Sequence, residues 1–105
     1  MRNLRNLIFV SGLLLAVTVA AAADLSGRVT VRGSPLGGAL VTANLIGQKG
    51  PAAVFVTRTD GRGEYIFRGI RNGDYILLVD LNGRRIYQGR VTVTNSVLVK
   101  NIALQ

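Results

Sequence analysis

The chain has no cysteine, no histidine and no tryptophan among its 105 residues. Without cysteine there is no disulfide, no thiolate nucleophile and no lipid carried on an N-terminal cysteine. Without histidine, the side chain that most often moves protons near neutral pH is missing, and so is the commonest ligand of transition metals. Ser26, Ser34 and Ser96 therefore have no imidazole base to activate them. Acids are scarce too: only Asp24, Asp60, Glu64, Asp74 and Asp80. A carboxylate pair for sugar hydrolysis would have to come from these, yet Asp60 and Asp74 stand in turn-like sequences and Glu64 and Asp80 on solvated strand faces. Asp60, the Arg62 carbonyl and Glu64 share one loop, but a hard cation asks for about six to eight oxygens. The expectation is a protein that is not an enzyme and uses no cofactor or metal.

What is present begins with a leader-like segment. Arg2 and Arg5 precede an apolar run from Leu7 to Ala20, and Ala20–Ala23 supplies small residues before Asp24. This order is that of a secretory signal peptide over residues 1–23, with cleavage expected after Ala23. The apolar run falls short of the roughly 20 residues a spanning helix needs, so no stable membrane span is expected after cleavage. The arginines are not adjacent, which argues against a twin-arginine signal. The expected location is periplasmic or secreted, which removes nucleic acid from the partners. Residues 24–105 are then enough for one domain.

Basic side chains dominate, giving a formal charge of +8. With Arg2 and Arg5 removed, 11 basic and 5 acidic side chains leave +6. Such a balance suits an anionic surface, a glycan or an acidic envelope polymer, and it equally suits plain solubility and protection of strand edges.

Alternation of apolar and polar residues runs through the whole of 24–105, and helical periodicity is nearly absent. Leu25–Arg32, Ala39–Ile46, Ala53–Thr59, a strand carrying Tyr65 and Phe67, one carrying Tyr75, Leu77 and Val79, Arg84–Thr94 and Val97–Leu104 read as seven strands. Turn sequences separate them: Gly33–Gly38, Gln48–Pro51, Asp60–Gly63, Asn72–Gly73, Asn82–Gly83 and Asn95–Ser96. Asn82–Gly83 suits a two-residue type I′ hairpin, since both residues tolerate positive φ. In Ala53–Thr59 either Val54 and Val56 or Phe55 and Thr57 face inward. A bend is expected at Gly89, and only one of Ile86 and Tyr87 can face in. Seven strands in so short a chain imply an all-β, antiparallel Greek-key sandwich, because each sheet must bury one apolar face against the other.

The order of motifs resembles the carboxypeptidase regulatory-like domain. The matching residues are Gly27-Arg28-Val29, then Pro35-Leu36-Gly37-Gly38-Ala39 with Val41. They continue through Thr57, Thr59-Asp60, Gly63, Tyr65 and Phe67, then Ile70, Gly73, Tyr75, Leu77 and Val79. Val91, Val93, Ile102 and Leu104 complete the pattern. The resemblance implies a seven-stranded transthyretin-like (prealbumin-like) sandwich and a non-catalytic accessory role, the partner here being a separate polypeptide. Some similar exported sandwiches carry a Lys–Asn isopeptide bond. Asn101 stands in the last strand, but the first strand has Arg28 and Arg32 and no lysine.

Two surfaces are candidates for binding. Ile76 and Leu78 point away from Tyr75, Leu77 and Val79, so they should form an apolar patch with Leu40 for another envelope or secreted protein. Arg28, Arg32, Arg84, Arg85 and Arg90 are the alternative, as a surface for glycan or anionic polymer. Phe55, Tyr65, Phe67 and Tyr75 are expected in the core rather than on a sugar-stacking platform.

Overall fold

The computed structural model describes residues 22–94 and 96–105. Its strands are β1 (Ala22–Val31), β2 (Ser34–Pro35), β3 (Leu40–Leu45), β4 (Val54–Arg58), β5 (Glu64–Arg71), β6 (Gly73–Leu81), β7 (Arg84–Val93), β8 (Val97–Val99) and β9 (Ile102–Leu104), with a 3-10 turn at Pro51–Ala53. The seven expected segments are all there. β2 is a short addition, and the last segment breaks at Lys100 and Asn101 into β8 and β9. Most of the expected leader lies outside the described residues, as does Asn95 of the expected Asn95–Ser96 turn. Ala22 and Ala23 open β1, paired with Arg71 and Ile70, and Ala23 is buried.

Two sheets form. In the first, β1 is central, with β5 and β2 antiparallel to it and β8 and β9 parallel to it. The second has the order β4-β3-β6-β7, antiparallel throughout. The all-β Greek-key sandwich expected from alternation is therefore present, with its first and last strands side by side in the same direction. A hairpin forces antiparallel pairing, but β8 reaches β1 from the other sheet, so no tight turn dictates its direction.

Alternation places the core. Leu25, Val29, Val41, Ala43, Tyr65, Phe67, Tyr75, Leu77, Val79, Val91 and Val93 are all buried between the sheets. The rings meet edge to face, with 6.0 Å between centroids for both Phe55–Tyr75 and Tyr65–Phe67. This offset geometry is the one aromatic quadrupoles favour. The Tyr75 hydroxyl donates to the Arg71 carbonyl at 2.7 Å, tying the start of β6 back to the end of β5. The undecided face of β4 is settled by register. Phe55 lies opposite Ala43 and Thr57 opposite Val41, and directly paired residues share a face. Val54 and Val56 therefore point outward, 43% and 56% exposed.

β7 corrects two expectations. Tyr87 pairs with Val79 and Arg85 with Asp80, leaving Ile86 as an extra residue. This bulge turns both Ile86 and Tyr87 onto the core, where an unbroken strand would have admitted only one. Gly89 stays in register opposite Leu77, so the irregularity lies at Ile86. Gly89 instead makes room for the Tyr87 ring, which a Cβ there would overlap.

The Asn82–Gly83 turn has φ of 53° and 80° between β6 and β7, as a type I′ hairpin requires. Arg32 and Gly33 form a second two-residue turn, with φ of 52° and 82°, between Val31 and Ser34. It was hidden in the sequence because arginine seldom adopts positive φ. A Cβ at Gly83 would meet nothing within 4 Å, so substitution there tests backbone strain alone. Gly83→Val should lower stability by more than about 1 kcal/mol, read as a lower thermal midpoint. An unchanged melt would show that this turn's positive φ costs valine nothing.

Candidate functional site

The outer face of the four-stranded sheet follows from its registers. One row runs Val54, Asn44, Ile76, Arg90, and the next Val56, Thr42, Leu78, Gln88. A third runs Arg58, Leu40, Asp80, Arg85. Leu40, Ile76 and Leu78 thus share one outward surface, and each is half-buried by its neighbours. Val54 and Val56 add a second apolar pair at the β4 edge, separated from Ile76 and Leu78 by Asn44 and Thr42, and are more exposed than the residues singled out from sequence. They were missed because their direction depended on register, which alternation within β4 could not supply. Polar groups border the patch. Arg85 pairs with Asp80 at 2.7 Å and Arg90 with Asp74 at 3.1 Å. The Thr92 hydroxyl and then Arg90 hold the Asp74 carboxyl below its ordinary range.

The outer face of the other sheet is different in character. It carries an open groove of about 760 Å³ lined by Ser26, Thr30 and Asn101 together with Ile66 and Val99. Arg28 and Glu64 bridge across it at 3.0 Å. The groove offers hydroxyls, an amide and charges; Tyr65 also lines it, but at 3% exposure its ring presents no open face on which a sugar could stack. Phe55, Tyr65, Phe67, Tyr75 and Tyr87, the aromatics among the described residues, all lie in or against the core.

The five arginines proposed from sequence do not form one surface. Arg28 lies on the outer face of the first sheet, Arg85 and Arg90 on that of the second, and all three are ion-paired. Arg32 and Arg84 sit at two hairpin turns, one on each sheet. The separation arises because the alternation of β1 and β7 sends these side chains to opposite outsides of the sandwich.

Several motif residues prove to be ties of the fold. The Asp60 carboxylate accepts from the N–H groups of Arg62 at 2.8 Å and Glu64 at 2.9 Å. Those bonds, the Glu64 one foremost, hold its carboxyl below the usual carboxylate range. This is turn chemistry, and it commits the acid that a calcium loop would need. Buried Thr59 accepts from Ala39 N–H at 2.9 Å. The Tyr65 hydroxyl donates to the Lys100 carbonyl at 2.6 Å, and burial pushes the phenol's pKa upward. Asn101 Oδ1 accepts from the Arg28 N–H at 3.0 Å, so its side chain caps the strand break.

The family model of the carboxypeptidase regulatory-like domain matches residues 24–105. The chain belongs to this family. A comparison with curated protein sequences found no match. Among solved structures, the chain is similar to the dioxygenase domain of a dioxygenase–carbohydrate-binding protein fusion from Streptomyces sp. SirexAA-E. The identity is 15% and the TM-score 0.65, over 85% of this chain and 82% of that one. It is also similar to a candidate carbohydrate-binding protein of Pseudomonas aeruginosa, at 14% identity and TM-score 0.59, over 89% and 95% of the two chains. A candidate carbohydrate-binding protein of Bacteroides uniformis aligns at 15% identity and TM-score 0.59, over 81% of this chain and 41% of that one. At such identities the likeness establishes the sandwich fold. The enzyme and non-enzyme descriptions attached to one architecture illustrate that function resides in sites grafted on a fold.

Proposed function

We propose that this carboxypeptidase regulatory-like domain is a non-catalytic, exported binding module that recognises another protein through the outer face of its four-stranded sheet. The observation that supports the reading is the set of five outward apolar residues on one sheet face, Leu40, Val54, Val56, Ile76 and Leu78, interrupted only by Thr42 and Asn44 of β3 and most exposed at Val54 and Val56. Antiparallel sheets commonly leave one face to water, and that face is then polar. An apolar one is a place for a partner. The competing reading is a binder of glycan or anionic polymer. The neighbours from P. aeruginosa and B. uniformis favour it by analogy, while the dispersal of the arginines and the burial of the rings weigh against it.

The test is the double variant Ile76→Lys, Leu78→Lys, expressed with its leader. Intact mass of the exported wild type should give an N-terminus at Asp24, and a product retaining Met1–Ala23 would overturn the export reading. Burial of such a pair contributes at most roughly 1.5–3 kcal/mol per side chain. The double variant should therefore stay folded and lose the protein that co-purifies with the wild type. An unfolded variant would mean that the face is internal core. A folded variant that keeps every wild-type partner, with binding that falls steeply as salt rises, would favour the anionic-polymer reading.

A further inference from the structure

The two open sides of the sandwich are defended differently. On one side the sheet ends in β7, which carries Arg84, Arg85 and Arg90 and a bulge at Ile86. Charges and bulges of this kind discourage a second strand from pairing with an edge. On the other side the second sheet ends in β4 and the first in β5. β4 pairs only with β3 among the described residues, so its outer row of N–H and C=O groups is unpaired. Its outward residues are Val54 and Val56, 43% and 56% exposed, and then Arg58. This edge is five residues long, has no bulge, and carries a single charge, Arg58, at its end.

The charge on this side is distinctive. Three arginines of the described chain are in ion pairs, Arg28, Arg85 and Arg90. Arg58 on β4, Arg62 in the turn after it, and Arg68 and Arg71 on β5 form no ion pair among the described residues. Asp60 accepts from backbone N–H groups, Glu64 pairs with Arg28, and Asp24 accepts from the Gly69 N–H at 2.9 Å. A strand edge unpaired among the described residues, with Arg58 at its end bound only to the Gly38 carbonyl at 3.3 Å and Arg62 in the turn that follows, is complementary to an extended, acidic chain.

We propose that β4 receives an extended acidic polypeptide segment of the partner by strand addition, continuing the four-stranded sheet by one strand. The proposal rests on the reading of this sheet as protein-binding and names the chemistry of what it binds. Main-chain bonds to β4 supply the attachment. β-Branched or apolar residues at alternate positions of the incoming strand continue the rows of Val54 and Val56. A carboxylate near Arg58 fixes the end of the register, because opposite charges on directly paired residues stabilise a sheet and like charges do not. A basic segment would be refused by the same arginines.

The test uses the folded protein and a synthetic peptide of eight residues alternating valine and glutamate. Three controls accompany it: the same peptide with alternate backbone N-methylation, a valine–lysine counterpart, and an alginate oligosaccharide of equal charge. Binding is followed by amide hydrogen exchange. The valine–glutamate peptide should bind and slow exchange in Val54–Arg58. The N-methylated and lysine peptides should fail. The double variant Arg58→Glu, Arg62→Glu should weaken binding roughly tenfold or more, equivalent to about 1.4 kcal/mol. The same double variant should keep the wild-type thermal midpoint, showing that its loss of binding does not reflect a damaged strand. Equal binding of the N-methylated peptide or of the alginate would overturn strand addition in favour of charge attraction alone. Absence of peptide binding, while the natural partner is still lost in the Ile76→Lys, Leu78→Lys variant, would overturn this inference and leave the protein-binding reading standing.

Discussion

A protein carrying Phe67→Ala should be weaker by about 3–5 kcal/mol than the wild type. Phe67 is 4% exposed, lies opposite Leu25 across the β1–β5 ladder, and meets Tyr65 edge to face. Removing the ring sacrifices both its transfer free energy and the contacts of the residues left around the void. β5 is an edge strand held by one neighbour, which limits how far other strands can move in to fill the space. A domain of this size has about 5–15 kcal/mol in total, and this one has no cysteine with which to supplement its packing. Denaturant unfolding should show a lower midpoint with an unchanged slope, the sign of lost stability without lost cooperativity. Intact stability together with a lost binding activity would identify the ring as part of a recognition surface and overturn its place in the core.

The second large effect is expected at Gly27. A Cβ there would overlap the Lys100 carbonyl oxygen and stand 2.9 Å from the Tyr65 ring. That carbonyl accepts the Tyr65 hydroxyl at 2.6 Å, while the Lys100 N–H donates to Ser26 at 2.7 Å. These bonds clamp the last strand onto β1 where β8 gives way to β9. Gly27→Ala must push the clamp open, and the collision with backbone leaves no flexible side chain to yield. Overpacking plus two weakened hydrogen bonds should cost about 2–4 kcal/mol. Hydrogen exchange should show the amides of β8 and β9 losing protection first, while β6 and β7 keep theirs. Gly61→Ala is the control, since a Cβ there meets nothing within 4 Å, and it should be close to neutral. If Gly27→Ala behaves like Gly61→Ala, the clamp does not hold the last strand.

The resemblance and the alternation agreed on the fold because both draw on the same local properties. Tyr65 and Phe67, or Tyr75, Leu77 and Val79, fall on one face of any strand they form. The candidate site was less legible. Ile76, Leu78 and Leu40 were visible as apolar residues on a face that should be wet, and they do share one surface. Val54 and Val56, which complete it, were ambiguous until Phe55 was seen opposite Ala43. The arginines were grouped by abundance along the chain, and pairing with Glu64, Asp80 and Asp74 divided them differently.

By itself the sequence determined the all-β class, most of the core and the Asn82–Gly83 hairpin. Each depends on a period of two residues or on the φ range of one residue, and both are set within a few bonds of the chain. Only the tertiary structure decided the inward face of β4, the bulge at Ile86, the parallel docking of the last strand, the need for glycine at 27 and the arginines left without acids. Each of these depends on which residues stand opposite one another across strands that are distant in sequence. Register is chosen by the whole sandwich, because a slip of one residue would exchange the buried and exposed faces of a strand.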